Sequence, residues 1–456
     1  NTAITGAITV SNAIDINGSG SEVAAAFTAI NTNTGQATAN VTGNDYTVAN
    51  LKTINDATTG AIVLADASAA LSGDSTDIAA AFAGSVTTHT GTVTITNSDY
   101  TAAELKTIND ATTGAITLNS AGGALSGSAT DVAAALAGTI TTHTGNVTLT
   151  GTTSVTDFNT VDGRTDGTIT YSLSDTSGNI SGASTSVLNG ATNITATHDG
   201  AGGNVFEFDN LTSTTTTSSV TVTGDAGVDV VELSTALTQS GLASIALGDG
   251  DGAADDVIFN TESSNTNWVT FDGSGNRNGG ATSFSFNKIT NWEAANDDFG
   301  IFYGGTNGDG GNAITFGTFT EVTALNASMR LKDGIIYEDT FNSDGGLAYT
   351  NAYVSNVSNI RANLDSIITA GGTSANSQAS SDLDFTYILY AQSSADATAT
   401  SAYIYTGTYG VERADAGTAM TDTSLKIMGI AEIDAITSGA LTSAQIISTK
   451  PGTLDQ

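Results

Sequence analysis

Residues 53–64 read TINDATTGAIVL and residues 107–118 read TINDATTGAITL, so one phrase recurs 54 residues later with a single change. Gly6, in TGAITV, lies another 54 residues before Gly60. Further Gly-led segments, GTVTI from Gly91 and GNVTL from Gly145, divide each unit into steps of 31 and 23 residues. A close internal repeat constrains the fold more than composition does, because identical neighbours make the same contacts with one another.

Each half-unit carries the same order of elements. GAITL alternates and sends Ile116 and Leu118 to one face. TDVAAALAG then reads as a short helix capped by Ser128 and stopped by Gly138. In DYTAAELKTINDATTG, Thr101 and Glu104 form a capping box, while Leu105, Ile108 and Ala111 make an apolar stripe. Strand, turn and helix recurring about every 27 residues predict an α/β solenoid over residues 1–160. A half-unit of 23 residues is too short to bury a core alone, which disfavours a row of separate small α+β modules. In a solenoid Gly6, Gly60 and Gly114 would begin equivalent parallel strands, with Ile8, Ile62 and Ile116 in one internal row. The first residues already follow the repeat, so the open start around Ala3–Val10 is a candidate stacking surface. The repeat degrades after about residue 150; residues 161–210 read as a degenerate repeat or linker β-region, with TDGTITYSLSD near 166–175 as a last, irregular copy.

Charge narrows the partners. The 456 residues include 46 Asp plus Glu against 11 Lys plus Arg, a formal charge of −35, yet only 12% are charged. Before residue 251 the basic side chains are Lys52, Lys106 and Arg164. Such a chain is repelled by phosphate backbones and anionic headgroups, so no nucleic-acid partner and no membrane insertion are expected. The apolar runs are too short to span a bilayer, and no secretory signal peptide is visible. Absence of cysteine excludes disulfides, thiolate chemistry and Cys-based zinc sites. Hard divalent cations are the remaining counterions, and carboxylate and carbonyl oxygens suit Ca²⁺.

From about residue 199 the pattern changes to Gly/Asp turns followed by apolar pairs. Residues 224–232 read GDAGVDVVE, which fits G-G-x-G-x-D-x-U-x with Asp225 in place of the second Gly. DGAGGNVFE at 199–207 and GDGDGAADDVIF at 248–259 are looser relatives. Glycine allows turns that aim carbonyls at an ion, Asp supplies charge and the apolar residue anchors a strand. Asp229 and Asp255 are the foremost candidate Ca²⁺ ligands, with Asp225, Asp249, Asp251 and Asp256 beside them. As Gly/Asp turns of an ordinary β-sandwich the same residues would need no ion.

These motifs resemble the repeats-in-toxin (RTX) family of secreted bacterial proteins. KITNWEAANDDFGIF at 288–302 is similar to the segment that closes an RTX roll, and SLKIMGIAEIDAITSGALTSAQII at 424–447 resembles the tail of type I secretion substrates. The 54-residue repeat resembles repeats of very large cyanobacterial surface proteins. RTX rolls stack nonapeptides in tandem, whereas the motifs here are isolated, starting at Asp199, Gly224 and Gly250. The resemblance implies one-step export through a type I channel, an extracellular destination at the cell surface, and folding on meeting calcium outside.

The fold class expected is therefore mixed α/β and β: solenoid-like α/β repeats in front, then β-rich, β-roll- or β-sandwich-like domains. Residues 211–310 would form an RTX-like β-domain and 311–456 a C-terminal β-rich domain with a secretion-like tail. FTYILYAQ (385–392) and SAYIYTGTYG (401–410) alternate as strands. Tyr387, Leu389, Tyr403 and Tyr405 would be core, or alternatively an inter-subunit patch. SNIRANLDSIITAGG (358–372) reads as an amphipathic helix with Ile360, Leu364, Ile367 and Ile368 on one face.

Catalytic chemistry finds little support. The three His lie outside any G-x-S-x-G context. His89 and His143 recur in the same TTHTG turn, read as a copied turn residue rather than a metal ladder, and His198 has no repeat partner. Asp255/Asp256 and Asp297/Asp298 read as ion ligands or solvated turns rather than a glycosidase pair. DGRTDG (162–167) offers a Ca²⁺ loop only as the minority reading and is not counted among the expected ligands. The function expected is a secreted, calcium-stabilised structural protein that assembles with itself into a surface layer or filament, possessing no enzymatic activity. The competing class is a calcium-dependent adhesin that binds cell-surface polysaccharide or another cell.

Overall fold

A computed structural model describes residues 6–200, 202–248, 252–261, 268–274, 276–303, 312–313, 322–326, 329–332, 335–339, 351–371, 383–392, 400–409, 425–436 and 441. The fold is mixed α/β with several parallel sheets, and the chain divides into two compact units, Asn1–Leu173 and Ser174–Gln456. Among the described residues no helix is long and apolar enough to cross a membrane.

In the first unit six helices recur: α1 (Gly20–Ala29), α2 (Val48–Ala57), α3 (Ser75–Phe82), α4 (Ala102–Ala111), α5 (Ala129–Ala135) and α6 (Val155–Asp162), each packed on the next. The local signals read from sequence set their ends. Thr101 and Glu104 close a capping box on α4, and Ser128 caps α5 by accepting from the Asp131 N–H. Gly138, just beyond α5, takes φ +69°. Leu51, Ile54, Leu105, Ile108 and Val132 are fully buried along the inner face of the stack. The copied Asn of TINDATTG ties successive helices: Asn55 Nδ2 donates to Ala80 O at 2.6 Å and Asn109 Nδ2 to Ala134 O at 2.9 Å. Each bond adds a side-chain donor to a carbonyl in the last turn of a helix, where i+4 partners run out and only the tighter bonds of the helix end remain.

The strands run in parallel ladders. β1 (Ile8–Val10) pairs with β3 (Ile30–Asn33). β2 (Asp15–Gly18), β4 (Thr38–Val41) and β5 (Ile62–Leu64) form a second ladder. β6 (Leu71–Gly73), β7 (Val93–Ile95) and β8 (Ile116–Leu118) form a third, and β9 (Leu125–Gly127), β10 (Val147–Thr153) and β11 (Ile169–Thr176) a fourth. Single bridges extend two of them, Ile62 to Val86 and Ile116 to Ile140.

Paired residues lie 22 to 24 positions apart, whereas helices begin 26 to 28 positions apart. The surplus of about four residues per turn carries the chain sideways. Between α1 and α2 the chain passes β3 then β4, and between α2 and α3 it passes β5 then β6; β4 pairs with β5. Each ladder thus shifts across by one strand position, and a fresh one starts after every second helix. This stagger makes two helices and one ladder the repeating unit and explains its unequal halves. It also corrects the expected single row of isoleucines. Ile8 faces Ile30, Ile62 sits between Ala39 and Val86, and Ile116 between Val93 and Ile140.

In the second unit the chain visits two parallel ladders in turn. One holds β12 (Asn193–Thr197), β14 (Ser219–Thr223), β16 (Ala243–Ala246) and β20 (Asn287–Thr290). The other holds β13 (Val205–Glu207), β15 (Val230–Leu233), β17 (Asp256–Thr261) and β21 (Asp298–Tyr303). Alternation buries Ile194, Val220, Val222, Ile245 and Ile289. An antiparallel pair, β18 (Val269–Phe271) and β19 (Arg277–Gly279), lies between β17 and β20 in the chain.

β18 and β20 both pair with the strand Leu425–Ile433, which continues antiparallel to Thr400–Tyr409 and then Leu383–Gln392. The helix Val357–Gly371 packs Ile360 and Leu364 into the same core as Tyr387, Leu389, Tyr403, Tyr405 and Phe284. The side chains of Ile367 and Ile368 lie outside the described residues. The four residues weighed as an inter-subunit patch are completely buried, so that alternative is overturned: they pack inside the unit.

Repeat glycines differ in what they allow. A Cβ on Gly114 would run into the Gly91 carbonyl, whereas one on Gly6 would meet nothing within 4 Å. Gly114→Ala should cost about 1–3 kcal/mol of stability in urea unfolding, while Gly6→Ala should change it by less than about 0.5 kcal/mol.

Candidate functional site

The acidic turns read as ion ligands lead into β15 and β17. Asn204, Asp229, Asp255 and Asp297 each occupy the position directly before a strand of one ladder, so register stacks the four. The Asn204 N–H and Nδ2 donate to Asp229 Oδ1 at 3.1 and 2.9 Å. The Asp229 N–H donates to Asp255 Oδ1 at 2.8 Å, and the Asp255 N–H to Asp297 Oδ1 at 3.3 Å. The second oxygens brace their own turns: Asp229 Oδ2 accepts the Asp225 N–H at 2.8 Å and Asp297 Oδ2 the Glu293 N–H at 2.5 Å. All three carboxylates are 0–2% exposed. Burial of a carboxylate is tolerable when N–H groups take over from water, as three do at Asp229 and two at Asp297.

A cation approaching Asp229 or Asp255 would compete with donors already bonded there. These two residues fit the role of turn braces better than that of ion ligands. Among the described residues no group of three His, Asp or Glu could hold a metal ion. Asp225 is placed differently. Its Oδ1 accepts the Gly227 N–H at 2.8 Å, but its Oδ2 is buried without a hydrogen-bond partner, 3.7 Å from His198 Nδ1. Asp256 sits opposite Asp298 in the ladder, and burial together with the Asp298 charge pushes its carboxyl up to about 6. Asp249 and Asp251 lie outside the described residues. Sequence reasoning missed Asn204 and Asp297 as members of the column. The 42-residue step from Asp255 to Asp297, lengthened by the β18–β19 pair, hides the periodicity.

The repeated histidines are buried braces of the same kind. His89 Nε2 bonds Ala69 O at 2.9 Å and His143 Nε2 bonds Gly123 O at 2.8 Å. A carbonyl only accepts, so the proton belongs on Nε2 and Nδ1 faces the hydroxyl of Thr112 or Thr165, at 3.4 and 3.1 Å. Burial holds both imidazoles below their ordinary value. A ladder of metal-binding histidines is not formed, because both ring nitrogens face partners within the protein.

The DGRTDG turn follows α6. Arg164 Nη1 donates to Ala133 O, and Asp162, Arg164 and Asp166 line an open groove of about 370 Å³ with Leu136, Ile140 and Thr142.

Two pH effects of opposite sign follow. Unfolded histidine takes up a proton near pH 6.5 while His89 and His143 resist it, so their contribution is complete above that pH and lost as pH falls below it. His143→Asn, matching Asn33 in the equivalent TNTG turn, should weaken the acid-side fall of the melting temperature. Asp256 works in the other direction: its folded value of about 6 lies above the ordinary 3.8, so its contribution is complete below 3.8 and lost as pH rises through 6. Asp256→Asn should raise the melting temperature at pH 7 and leave it unchanged below about pH 4. For the column, Asp229→Ala should cost about 1–3 kcal/mol per orphaned N–H, and Asp229→Asn less, measured by denaturant unfolding.

Comparison with family models, with curated proteins and with solved structures finds no match to this chain, so its function is argued from this geometry.

Proposed function

We propose that the chain is a secreted structural protein of a bacterial cell surface, a calcium-stabilised subunit that assembles with itself into a layer or filament rather than catalysing a reaction. The observation that carries this reading is where the polar side chains are directed. Asn55 and Asn109 bind the next helix, Asp229 and Asp255 the neighbouring turn, and His89 and His143 the backbone beside them. We read the staggered ladders of the first unit as a solenoid and the paired ladders of the second as a roll. In a solenoid each repeat contacts only its neighbours, so an end without a polar cap would offer that contact face to a second copy.

Self-association has a candidate surface. Among the described residues β1 and β2 each have one strand partner, so one side of Ile8–Val10 and of Asp15–Gly18 carries backbone N–H and C=O groups without a paired strand; of the proposed Ala3–Val10 surface, residues 3–5 lie outside the described set. The contact would be head-to-tail, since such contacts propagate where two-fold contacts close. It should bury on the order of 1,200–2,000 Å². A net charge of −35 opposes it unless cations bridge or screen the carboxylates.

Calcium would act at the outer carboxylates rather than at the braced ones. Asp225, with its unpartnered buried oxygen, and Asp256, held beside Asp298, are the residues whose charge a cation would relieve. Resemblance of residues 224–232 to calcium nonapeptides supports the same view.

Light scattering across a calcium titration, with melting curves in excess chelator, tests the proposal. The expected outcome is calcium-dependent growth of particles and a native state stabilised by roughly 2.7 kcal/mol at a hundredfold excess over Kd. A chain that remains monomeric throughout, with melting unaffected by chelator, would reject it.

A further inference from the structure

We infer that the groove beside α6 is a binding site for an uncharged, hydroxyl-rich ligand of the saccharide class. The bridge from His143 to Thr165 reproduces the bridge from His89 to Thr112. That register sets Asp162 where the preceding repeat has Asn109, Arg164 where it has Ala111, and Asp166 where it has Thr113. The copy before it carries the same neutral residues, Asn55, Ala57 and Thr59. Three charged residues therefore replace neutral ones together at this turn, while the Asp56 and Asp110 of the earlier copies give way to Gly163, and the three charged residues line one groove.

Arg164 is anchored there. Its Nη1 donates to Ala133 O, which fixes the plane of the guanidinium. Lys52 and Lys106 are ion-paired with Asp77 and Asp110, whereas Arg164 has no ion pair among the described residues. Its other guanidinium donors have no protein partner among the described residues.

Local charge selects the ligand. An anion entering the groove meets Asp162 and Asp166, and a cation, Ca²⁺ included, meets Arg164. A neutral hydroxyl both accepts from a guanidinium and donates to a carboxylate, so a polyol satisfies both signs at once. Thr142 adds a further hydroxyl, and the partly buried Ile140 offers an apolar side for the C–H face of a sugar ring. A volume of about 370 Å³ falls within the range of small-ligand pockets.

The test uses the full chain on a glycan microarray bearing neutral oligosaccharides beside uronate-containing and sulfated ones. A triple variant, Asp162→Asn, Arg164→Ala and Asp166→Thr, restores the residues of the neighbouring repeats and is expected to keep the wild-type circular dichroism and melting curve. Capture of neutral glycans by the wild type, weakened at least about tenfold in the triple variant, is the expected result. No neutral glycan captured, capture of acidic glycans alone, or capture that the triple variant retains overturns the inference. Light scattering of the same variant reads assembly separately, so a protein that fails to assemble yet binds neutral glycans counts against the proposed function and for this site.

Discussion

Stacked parallel strands satisfy each other's backbone along their length but not at the corners, where the chain turns out of the ladder and its N–H and C=O groups lose their partners. At repeated turns among the described residues a side chain reaches one level along to repair that loss. Asn109 does so at the end of a helix, His143 at the TTHTG turn, and Asp255 at the entrance to a strand. Unrepaired corners would leave buried polar groups at each level, a penalty that accumulates with every turn added. The helices and apolar rows are secondary to this condition, since they pack only when the corners hold register.

Much of the first unit was legible because its signals are local. Capping residues such as Thr101 and Ser128 and the stripe of Leu105 and Ile108 act within ten residues of the elements they define. The stagger was not legible. It arises from a difference between the helix and strand steps, and only the common unit of both is written as sequence identity. Ile8, Ile62 and Ile116 occupy equivalent places in the unit without touching, a distinction invisible to any comparison of letters.

The second unit shows how one sequence pattern serves two kinds of chemistry. A Gly-rich turn ending in Asp before an apolar pair is what a calcium turn needs, and also what a turn braced by carboxylate to N–H bonds needs. Asp229 and Asp255 follow the second arrangement in this structure, and Asn204 occupies the same position without a charge. The neutral member is the informative one: an amide there can donate to Asp229, which a carboxylate cannot. Aromatic alternation in 385–392 and 401–410 was readable as strand, but nothing local to those strands reveals that Val357–Gly371 covers them.

The mismatch between helix and strand steps sets a quantum for growth of the molecule. Inserting one helix with its strands would leave the chain half a ladder out of place, with a strand end facing the wrong neighbour. Inserting two restores every pairing. Gene segments encoding 54 residues can therefore be duplicated or lost without disturbing the flanking turns, whereas segments half that long cannot. Length in such a lineage would change in paired steps, and the near-identity of residues 53–64 and 107–118 is the trace that such an event would leave.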